Sequence, residues 1–195
     1  MNKILIIGIN GSPHKTGRTA KLLEVILSGA TKVGAKTNII HLVDKKIKPC
    51  FGCLSIGKKC IYPCRIKDDT QDIHKLLLKA DGIVLASPTY WFSPSGLMKN
   101  FIDRLTCLEE NGFMLKGKIG AALAVSTESG GEEVANLMIS ILNEMGLVIP
   151  PFAAPFFSQT KGSWFVRDLR LLGQNIVRLA VALKNNKLNL GYNYH

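Results

Sequence analysis

Four of the five cysteines fall within a segment of fifteen residues, with the spacing C-x2-C-x6-C-x3-C: Cys50, Cys53, Cys60 and Cys64. The fifth, Cys107, stands alone on the apolar face of a predicted helix and is expected to be a small core residue. The apolar start, residues 1–11, is too short for a secretory signal, so we expect a cytoplasmic protein with reduced thiols. Clustered thiols in such a protein favour metal binding over disulfide formation.

Three further segments carry polar groups, glycines or aromatic rings directly after apolar stretches. Residues 10–19 combine hydroxyls, backbone amides and a predicted helix start, which suits a phosphate group, although an ordinary turn would also fit. They match neither the Walker A nor the Gly-x-Gly-x-x-Gly pattern, which disfavours ATP hydrolysis and the usual dinucleotide site. Residues 87–92 place the adjacent aromatic rings of Tyr90 and Trp91 at a strand end, where they pack on a flat ligand, the core or another subunit. Residues 126–131 end in paired glycines, which allow close backbone approach to a ligand.

The apolar pattern alternates between strands and helices. Strands are predicted at residues 3–9, 37–42, 82–86, 119–125 and 147–149. Helices are predicted within residues 19–30, 73–80, 94–105, 134–145 and 165–183, the third capped by Ser93 and started by Pro94. We therefore expect an α/β fold, a doubly wound five-stranded parallel sheet with helices on both faces. It would form a single domain of residues 1–195, with residues 43–67 as a cysteine-rich insert and 185–195 as a polar tail.

Composition narrows the classes of partner. Hydrophobic residues make up 47% of the chain and charged residues 20%, which suits a buried core and argues against a disordered chain. No apolar stretch approaches the ~18 residues of a membrane span, so no membrane partner is expected. The net charge of +11 suits acidic ligands, but the basic residues are scattered and form no stripe with aromatic residues, which argues against nucleic acid. No histidine has a sequence context typical of a nucleophilic triad, so we predict no catalytic side chain and expect a cofactor to do the chemistry.

Three motifs, in this order, resemble those of the NADPH-dependent FMN reductase family. They are Gly11-Ser-Pro-His-Lys-Thr-Gly-Arg-Thr19, then Ser87-Pro-Thr-Tyr-Trp91 with Met98-Lys-Asn-Phe-Ile-Asp-Arg104, and the loop with Gly130-Gly131. The likeness extends over nearly the whole chain, and the cysteine-rich insert is similar to that of the iron–sulfur flavoprotein branch. The resemblance implies a flavodoxin-like fold that binds FMN.

The same resemblance implies which residues contact FMN. Around its phosphate it places Ser12, His14, Gly17, Arg18 and Thr19. Along the isoalloxazine ring it places Pro88, Thr89, Tyr90 and Trp91. The other side of the ring would be closed by Thr127, Glu128, Ser129, Gly130 and Gly131.

The cysteine spacing departs from that of the iron–sulfur branch. The pattern of that branch is similar to C-x2-C-x2-C followed by a more distant fourth cysteine. Here Ile56 occupies the expected third position and Cys60 would take its place, whereas Cys64 matches the last cysteine. A 4Fe–4S cluster held by Cys50, Cys53, Cys60 and Cys64 is our prediction, because four loop cysteines can each supply a thiolate. A tetrahedral zinc site remains open, as do reduced thiols or a thiol–disulfide pair in a metal-free protein.

The resemblance implies an oxidoreductase that passes electrons between a donor, a 4Fe–4S cluster, FMN and a small acceptor. Ferredoxin or NAD(P)H is the implied donor, and a quinone, a flavin or an oxygen species is the implied acceptor. A homodimer or homotetramer is the implied assembly. The alternatives are a metal-free NAD(P)H-dependent FMN or quinone reductase, a non-enzymatic electron carrier and a zinc-stapled binding module without flavin.

Overall fold

Short runs of Ile, Val, Leu and Ala form a central parallel sheet. The computed structural model describes residues 3–158, 162 and 164–186. Its strands are β1 (Leu5–Asn10), β2 (Lys36–His41), β3 (Gly82–Tyr90), β4 (Ser93–Pro94), β5 (Ile119–Val125) and β6 (Phe156–Phe157). Parallel pairs give the order β2-β1-β3-β5-β6, and β4 pairs antiparallel with the end of β3. The predicted doubly wound sheet is confirmed, and its strand order is that of flavodoxin-like folds.

Helices cover both faces of the sheet. They are α1 (Arg18–Lys32), α2 (Thr70–Lys79), α3 (Gly96–Glu109), α4 (Gly131–Glu144) and α5 (Trp164–Asn186). Successive strand residues point to opposite faces. Ile6 accordingly packs in the core shared with α1 and α5, whereas Ile7 and Ile9 pack in the core shared with α2, α3 and α4. No helix within the described residues is long and apolar enough to cross a membrane.

Two glycines allow α1 and α5 to approach each other closely. A Cβ added at Gly29 would collide with the carbonyl group of Arg170, and one added at Gly173 would collide with the carbonyl oxygen of Ile26. The backbones of the two helices are therefore in direct contact, which fixes α1 and the loop before it against the sheet.

The predicted fifth strand was wrong in position. Residues 147–149 make only an isolated bridge, between Val148 and Ile119, because the pair Pro150-Pro151 directly follows and interrupts pairing. The chain turns at Phe152, with φ of 60°, and returns to the sheet as β6, where Phe156 pairs with Ala124. Of the predicted polar tail, residues 185–195, the first two belong instead to the end of α5, and residues 187–195 lie outside the described residues.

The prediction for the start of the third helix was also wrong by two residues. Ser93 and Pro94 form β4 and pair with Tyr90 and Thr89. The N-cap of α3 is Ser95, whose Oγ accepts a hydrogen bond from the Met98 N–H at 3.2 Å. The pairing of β3 with β4 prevails over the helix-start signal of Ser93 and Pro94. The hairpin gives the backbone N–H and C=O groups at the end of β3 hydrogen-bond partners, which a helix starting at Pro94 would not.

Candidate functional site

The carboxyl ends of β1, β3 and β5 bring the three predicted ligand loops together. The N–H of Gly11 donates to the carbonyl of Ala86 at 2.8 Å, and Ser95 Oγ donates to the carbonyl of Gly11 at 2.6 Å. A Cβ added at Gly130 would lie 2.8 Å from Cδ1 of Phe92, so the second and third loops touch. Residues 10–19, 87–92 and 126–131 thus form one continuous surface, which we call the loop surface, at the edge where such sheets bind ligands.

The first loop is folded by its own polar side chains and leads into α1. The N–H of Ser12 donates to Asn10 Oδ1 at 3.0 Å, and the N–H of His14 donates to Ser12 Oγ at 3.1 Å. Gly17 is the N-cap of α1 and provides no side-chain hydrogen bond to the first turn, which also contains no acidic residue. The N–H groups at this helix start are therefore available to an anion.

The five predicted phosphate contacts lie in this one turn. Ser12 and Thr19 are buried, Gly17 is half-buried, and His14 and Arg18 are exposed. The Arg18 guanidinium stacks over the ring of Phe157, 4.9 Å from the ring centre. This contact orients a cation beside the start of α1, where it adds to the positive end of the helix dipole.

The second loop is a tight hairpin that begins within the third predicted strand's continuation. Pro88, Thr89 and Tyr90 belong to β3, which continues four residues past its predicted end at Ala86. Trp91 and Phe92 form the turn with φ of 51° and 57°, a conformation that favours glycine and asparagine. Such strain is retained where the surroundings impose it, often at ligand sites.

The aromatic residues of this hairpin are open to solvent. Trp91 is 94% exposed and Phe92 is 62% exposed. Next to them Thr89 Oγ1 is buried and has no hydrogen-bond partner within the described residues. The exposed rings suit stacking against a flat ligand, whereas the Thr89 hydroxyl is covered by the protein.

The third loop presents its polar residues outward and its glycines inward. Thr127, Glu128 and Ser129 are exposed, whereas Gly130 and Gly131 are buried. Gly130 has φ of 80°, and a Cβ added at Gly131 would lie 2.9 Å from Ser126 Oγ. Side chains larger than glycine would therefore displace the contact between this loop and the hairpin.

Residues 43–67, the cysteine segment, lie between β2 and α2 and contain only short helical turns. All four of its thiols are free; Cys50 is exposed and the other three are half-buried. Burial raises the pKa of Cys60, and the nearby thiolates of Cys53, Cys64 and Cys50 raise it further. Cys60 thus lies within electrostatic reach of the other three cysteines. The donor set suits a thiolate-bound metal, although no three Cys, His, Asp or Glu side chains within the described residues form a preassembled metal site.

Side-chain amides tie the cysteine segment to the helices beneath it. Asn100 Nδ2 donates to the carbonyl of Ile47 at 2.7 Å, and Asn111 Nδ2 donates to the carbonyl of Cys60 at 3.2 Å. Gln71 Nε2 donates to the carbonyl of Cys64 at 2.8 Å. The irregular backbone is therefore fixed by hydrogen bonds although it has no regular secondary structure.

A buried ion pair beneath this segment had been given no role by the sequence. The side chains of Arg104 and Asp68 are 0% and 2% exposed, and Nη1 lies 2.6 Å from Oδ2. Burial acts to raise the pKa of Asp68, but hydrogen bonds from Arg104 and from the Lys48 N–H lower it to about 2. The signal that could have revealed Arg104 is its helical spacing with the core residues Phe101 and Leu108.

His74 and Cys107 form a contact that the sequence did not indicate. Cys107 is buried as predicted, and its Sγ lies 3.6 Å from His74 Nδ1. Burial lowers the pKa of His74 to about 4, and the charge of Arg104 acts in the same direction. Burial also raises the pKa of the Cys107 thiol to about 12. Both groups are therefore uncharged at neutral pH, and the pair lacks the thiolate of an activated nucleophile.

Comparison with known proteins agrees with this arrangement. The family described as NADPH-dependent FMN reductase matches residues 4–161. An iron–sulfur flavoprotein of Methanocaldococcus jannaschii is 39% identical over 129 residues, covering 66% of this chain and 65% of that protein. An iron–sulfur flavoprotein of Archaeoglobus fulgidus is 31% identical over an alignment of 199 positions, covering 92% of this chain and 97% of that protein.

Solved structures share the fold. RosB, with the bound intermediate 8-demethyl-8-formylriboflavin-5'-phosphate, superposes with a TM-score of 0.80 at 20% identity, covering 95% of this chain and 82% of that one. A flavodoxin from the domain Archaea gives a TM-score of 0.64 at 19% identity, covering 91% of this chain and 99% of that one. At these identities the likeness establishes the flavodoxin-like architecture.

Proposed function

Because this chain belongs to the NADPH-dependent FMN reductase family, we propose that it passes electrons between a protein donor, a 4Fe–4S cluster on the cysteine segment, FMN on the loop surface and a small acceptor. The observation that carries the proposal is that one chain has two kinds of site. The start of α1 and the exposed hairpin at Trp91 suit FMN, and a separate segment contains four free thiols. FMN, when bound, supplies one- and two-electron chemistry. The side chains of this chain bind and orient it.

In this proposal each part of the loop surface has one task. Ser12, Thr19 and the first N–H groups of α1 hold the phosphate, and Arg18 adds a positive charge. The exposed hairpin at Trp91 covers one part of the flavin ring. The third loop, residues 127–131, lets its backbone approach the other side.

Removing both buried hydroxyls of the first loop is expected to weaken FMN binding. In the double variant Ser12→Ala with Thr19→Ala, two hydrogen bonds to a charged phosphate are lost, so the dissociation constant should rise about tenfold or more. Titration of the FMN-free protein, followed by quenching of flavin fluorescence, measures it. The matched control is Ser28→Ala with Thr31→Ala, two hydroxyls of α1 that bond to carbonyls of the same helix. Equal FMN affinity in the Ser12/Thr19 variant and in this control would refute the phosphate assignment.

The surface of the cysteine segment supports an acidic protein as the electron donor. Basic residues occur throughout the chain, but residues 45–67 contain no acidic residue. Their basic residues are Lys45, Lys46, Lys48, Lys58, Lys59, Arg65 and Lys67. All are exposed, and none takes part in the ion pairs found within the described residues. The apolar side chains of Phe51 and Ile56 are exposed among them. A positive rim around apolar side chains suits a small acidic electron carrier, and we propose ferredoxin rather than NAD(P)H as the donor.

Anaerobic reduction distinguishes the possible donors. Reduced ferredoxin is expected to bleach the flavin absorption at a rate that falls with added salt, whereas NADH and NADPH should act slowly or not at all. Neutralising Lys58 and Lys59 by glutamine should slow reduction by ferredoxin, and the same change at the exposed Lys21 and Lys32 of α1 should leave it unchanged. Rapid turnover of NAD(P)H by iron-free protein would instead select the metal-free reductase, the alternative favoured by the lack of a preassembled metal site in the described part of the chain.

We also propose that the chain assembles as a homodimer or homotetramer. The exposed rings of Trp91 and Phe92 beside the loop surface support a subunit contact there, because large rings are costly to leave in water.

A further inference from the structure

Arg104 places a permanent positive charge inside the protein, directly against the cysteine segment. Its side chain is fully buried, and it is among the largest completely buried side chains of the described residues. A charge is moved from water into a protein interior only at a large cost, which Asp68 offsets by ion pairing at 2.6 Å. Replacement of such pairs by apolar residues often stabilises a protein, so a purely structural explanation of this pair is weak.

The guanidinium of Arg104 binds the two ends of the cysteine segment at once. Nη1 donates to the carbonyl of Lys48 at 2.8 Å, two residues before Cys50. Nη2 points to the other end, at 3.4 Å from the carbonyl of Ile66 and 3.5 Å from Sγ of Cys64. Asp68 also links the two ends of the segment, because its Oδ2 accepts a hydrogen bond from the Lys48 N–H at 2.9 Å. One side chain thus holds the backbone just before Cys50 close to the thiol of Cys64.

The helix that carries Arg104 also supports the loop surface. The start of α3 contacts the first loop through Ser95, which donates to the carbonyl of Gly11 at 2.6 Å. A Cβ added at Gly11 would lie 2.8 Å from Cβ of Met98, so helix and loop are in direct contact. Arg104 follows Met98 on this helix by six residues and contacts the cysteine segment. A single rigid element therefore joins the two proposed redox sites.

A cation that also donates an N–H to a ligand sulfur changes the energy of the negative charge on a metal cluster bound through that sulfur. Adding one electron to a thiolate-bound cluster adds one negative charge, which a nearby guanidinium stabilises more strongly in a buried site than in water. Hydrogen bonds to ligand sulfurs act in the same direction. Arginine suits this task because it stays charged and its planar fork serves several acceptors.

We propose that Arg104 is a positioning residue that holds Cys64 and the ends of the cysteine segment and raises the reduction potential of the iron–sulfur cluster bound there. The proposal rests on the proposed function, since it requires the cluster. It assigns to a residue outside the loop surface a control over the potential at which the cluster accepts electrons.

The test measures the midpoint potential of the cluster in the intact protein, by potentiometric titration followed by electron paramagnetic resonance. In the double variant Arg104→Met with Asp68→Leu both charges are removed together, which avoids an unpaired buried charge. The ratio of reduced to oxidised cluster at a fixed potential is expected to fall at least about tenfold, a shift of about 59 mV to more negative potential for one electron. Arg104→Lys keeps the charge and loses the fork, so its potential should lie between those of the wild type and the double variant.

The matched control is an exposed ion pair on the same helix, directly before Arg104 in the sequence. Lys99 and Asp103 form an exposed ion pair at 2.6 Å, and Lys99→Met with Asp103→Leu should leave the potential unchanged. A wild-type potential in both Arg104 variants, with iron and FMN contents also at the wild-type level, overturns this inference and leaves the proposed function standing. Iron-free wild-type protein overturns both.

Discussion

Serine in place of Cys64 is expected to remove iron from the protein while FMN remains bound. A serine hydroxyl does not ionise at neutral pH and is a poor substitute for a thiolate. A cluster of four irons should therefore lose one of its four protein ligands and dissociate. The iron content should drop from about four to below about one per chain, and acid-labile sulfide should fall with it. FMN should stay at the wild-type level because the loop surface, residues 10–19, 87–92 and 126–131, shares no residue with the cysteine segment.

Cys50→Ser is expected to behave in the same way, since Cys50 and Cys64 are the first and last thiols of the segment. Cys107 supplies the matched control. It is buried in the core and lies outside the segment, so Cys107→Ala should keep its full iron content at a modest cost in stability. Iron, sulfide and FMN are assayed on the same anaerobic samples. Full iron content in both serine variants would show that the four-cysteine ligand set is wrong.

Alanine in place of Gly173 is expected to destabilise the fold by about 3 kcal/mol or more, near the upper end of what overpacking costs. The added Cβ would collide with the carbonyl oxygen of Ile26, and backbone atoms cannot move aside as a flexible side chain does. Separation of α5 from α1 would also disturb the start of α1, so FMN binding should weaken together with stability. Urea denaturation of the FMN-free protein measures the free energy of unfolding, and titration measures the FMN affinity.

Gly96 provides the control for this substitution. It is the first residue of α3, and a Cβ added there would meet no atom within 4 Å. Gly96→Ala should therefore be neutral or stabilise by about 0.5 kcal/mol through the lower entropy of the unfolded chain. If Gly173→Ala unfolds at the same urea concentration as Gly96→Ala, the direct contact of the two helix backbones is not a feature of the folded protein.

The sheet and its helices could be predicted because their signals are local. An apolar run such as residues 119–125 has the length of a buried strand, and the predicted bounds match β5. Helix α1 likewise follows the apolar spacing of Leu22, Leu23 and Ile26. The order of elements then left few topologies with right-handed crossovers, and the family resemblance selected the correct one.

The features that were missed depend on contacts between distant parts of the chain. The β6 strand has only two residues, and it pairs because the turn at Phe152 returns the chain to β5, which no local pattern indicates. The turn at Trp91 and Phe92 contradicts the usual turn residues, and only the packing around it makes it possible. Arg104 is charged and was not expected in the core, because its partner Asp68 is 36 residues away in the sequence.

The candidate site shows the same division. The first and third loops follow strand ends, so their meeting could be predicted from the fold class alone. The mutual arrangement of the four thiols could not be predicted. The spacing, with Ile56 at the third position, is compatible with an iron–sulfur cluster, with zinc and with metal-free thiols. The structure adds the hydrogen bonds from Asn100, Asn111 and Gln71 that hold this segment in place.

The visible absorption spectrum of anaerobically purified protein shows whether one chain carries both FMN and an iron–sulfur cluster. Iron, acid-labile sulfide and FMN are assayed on the same sample. We expect flavin bands over a broad shoulder, with about four irons and four sulfides for each FMN. Clean flavin bands without iron or sulfide would contradict this expectation and would identify the protein as a metal-free flavin reductase.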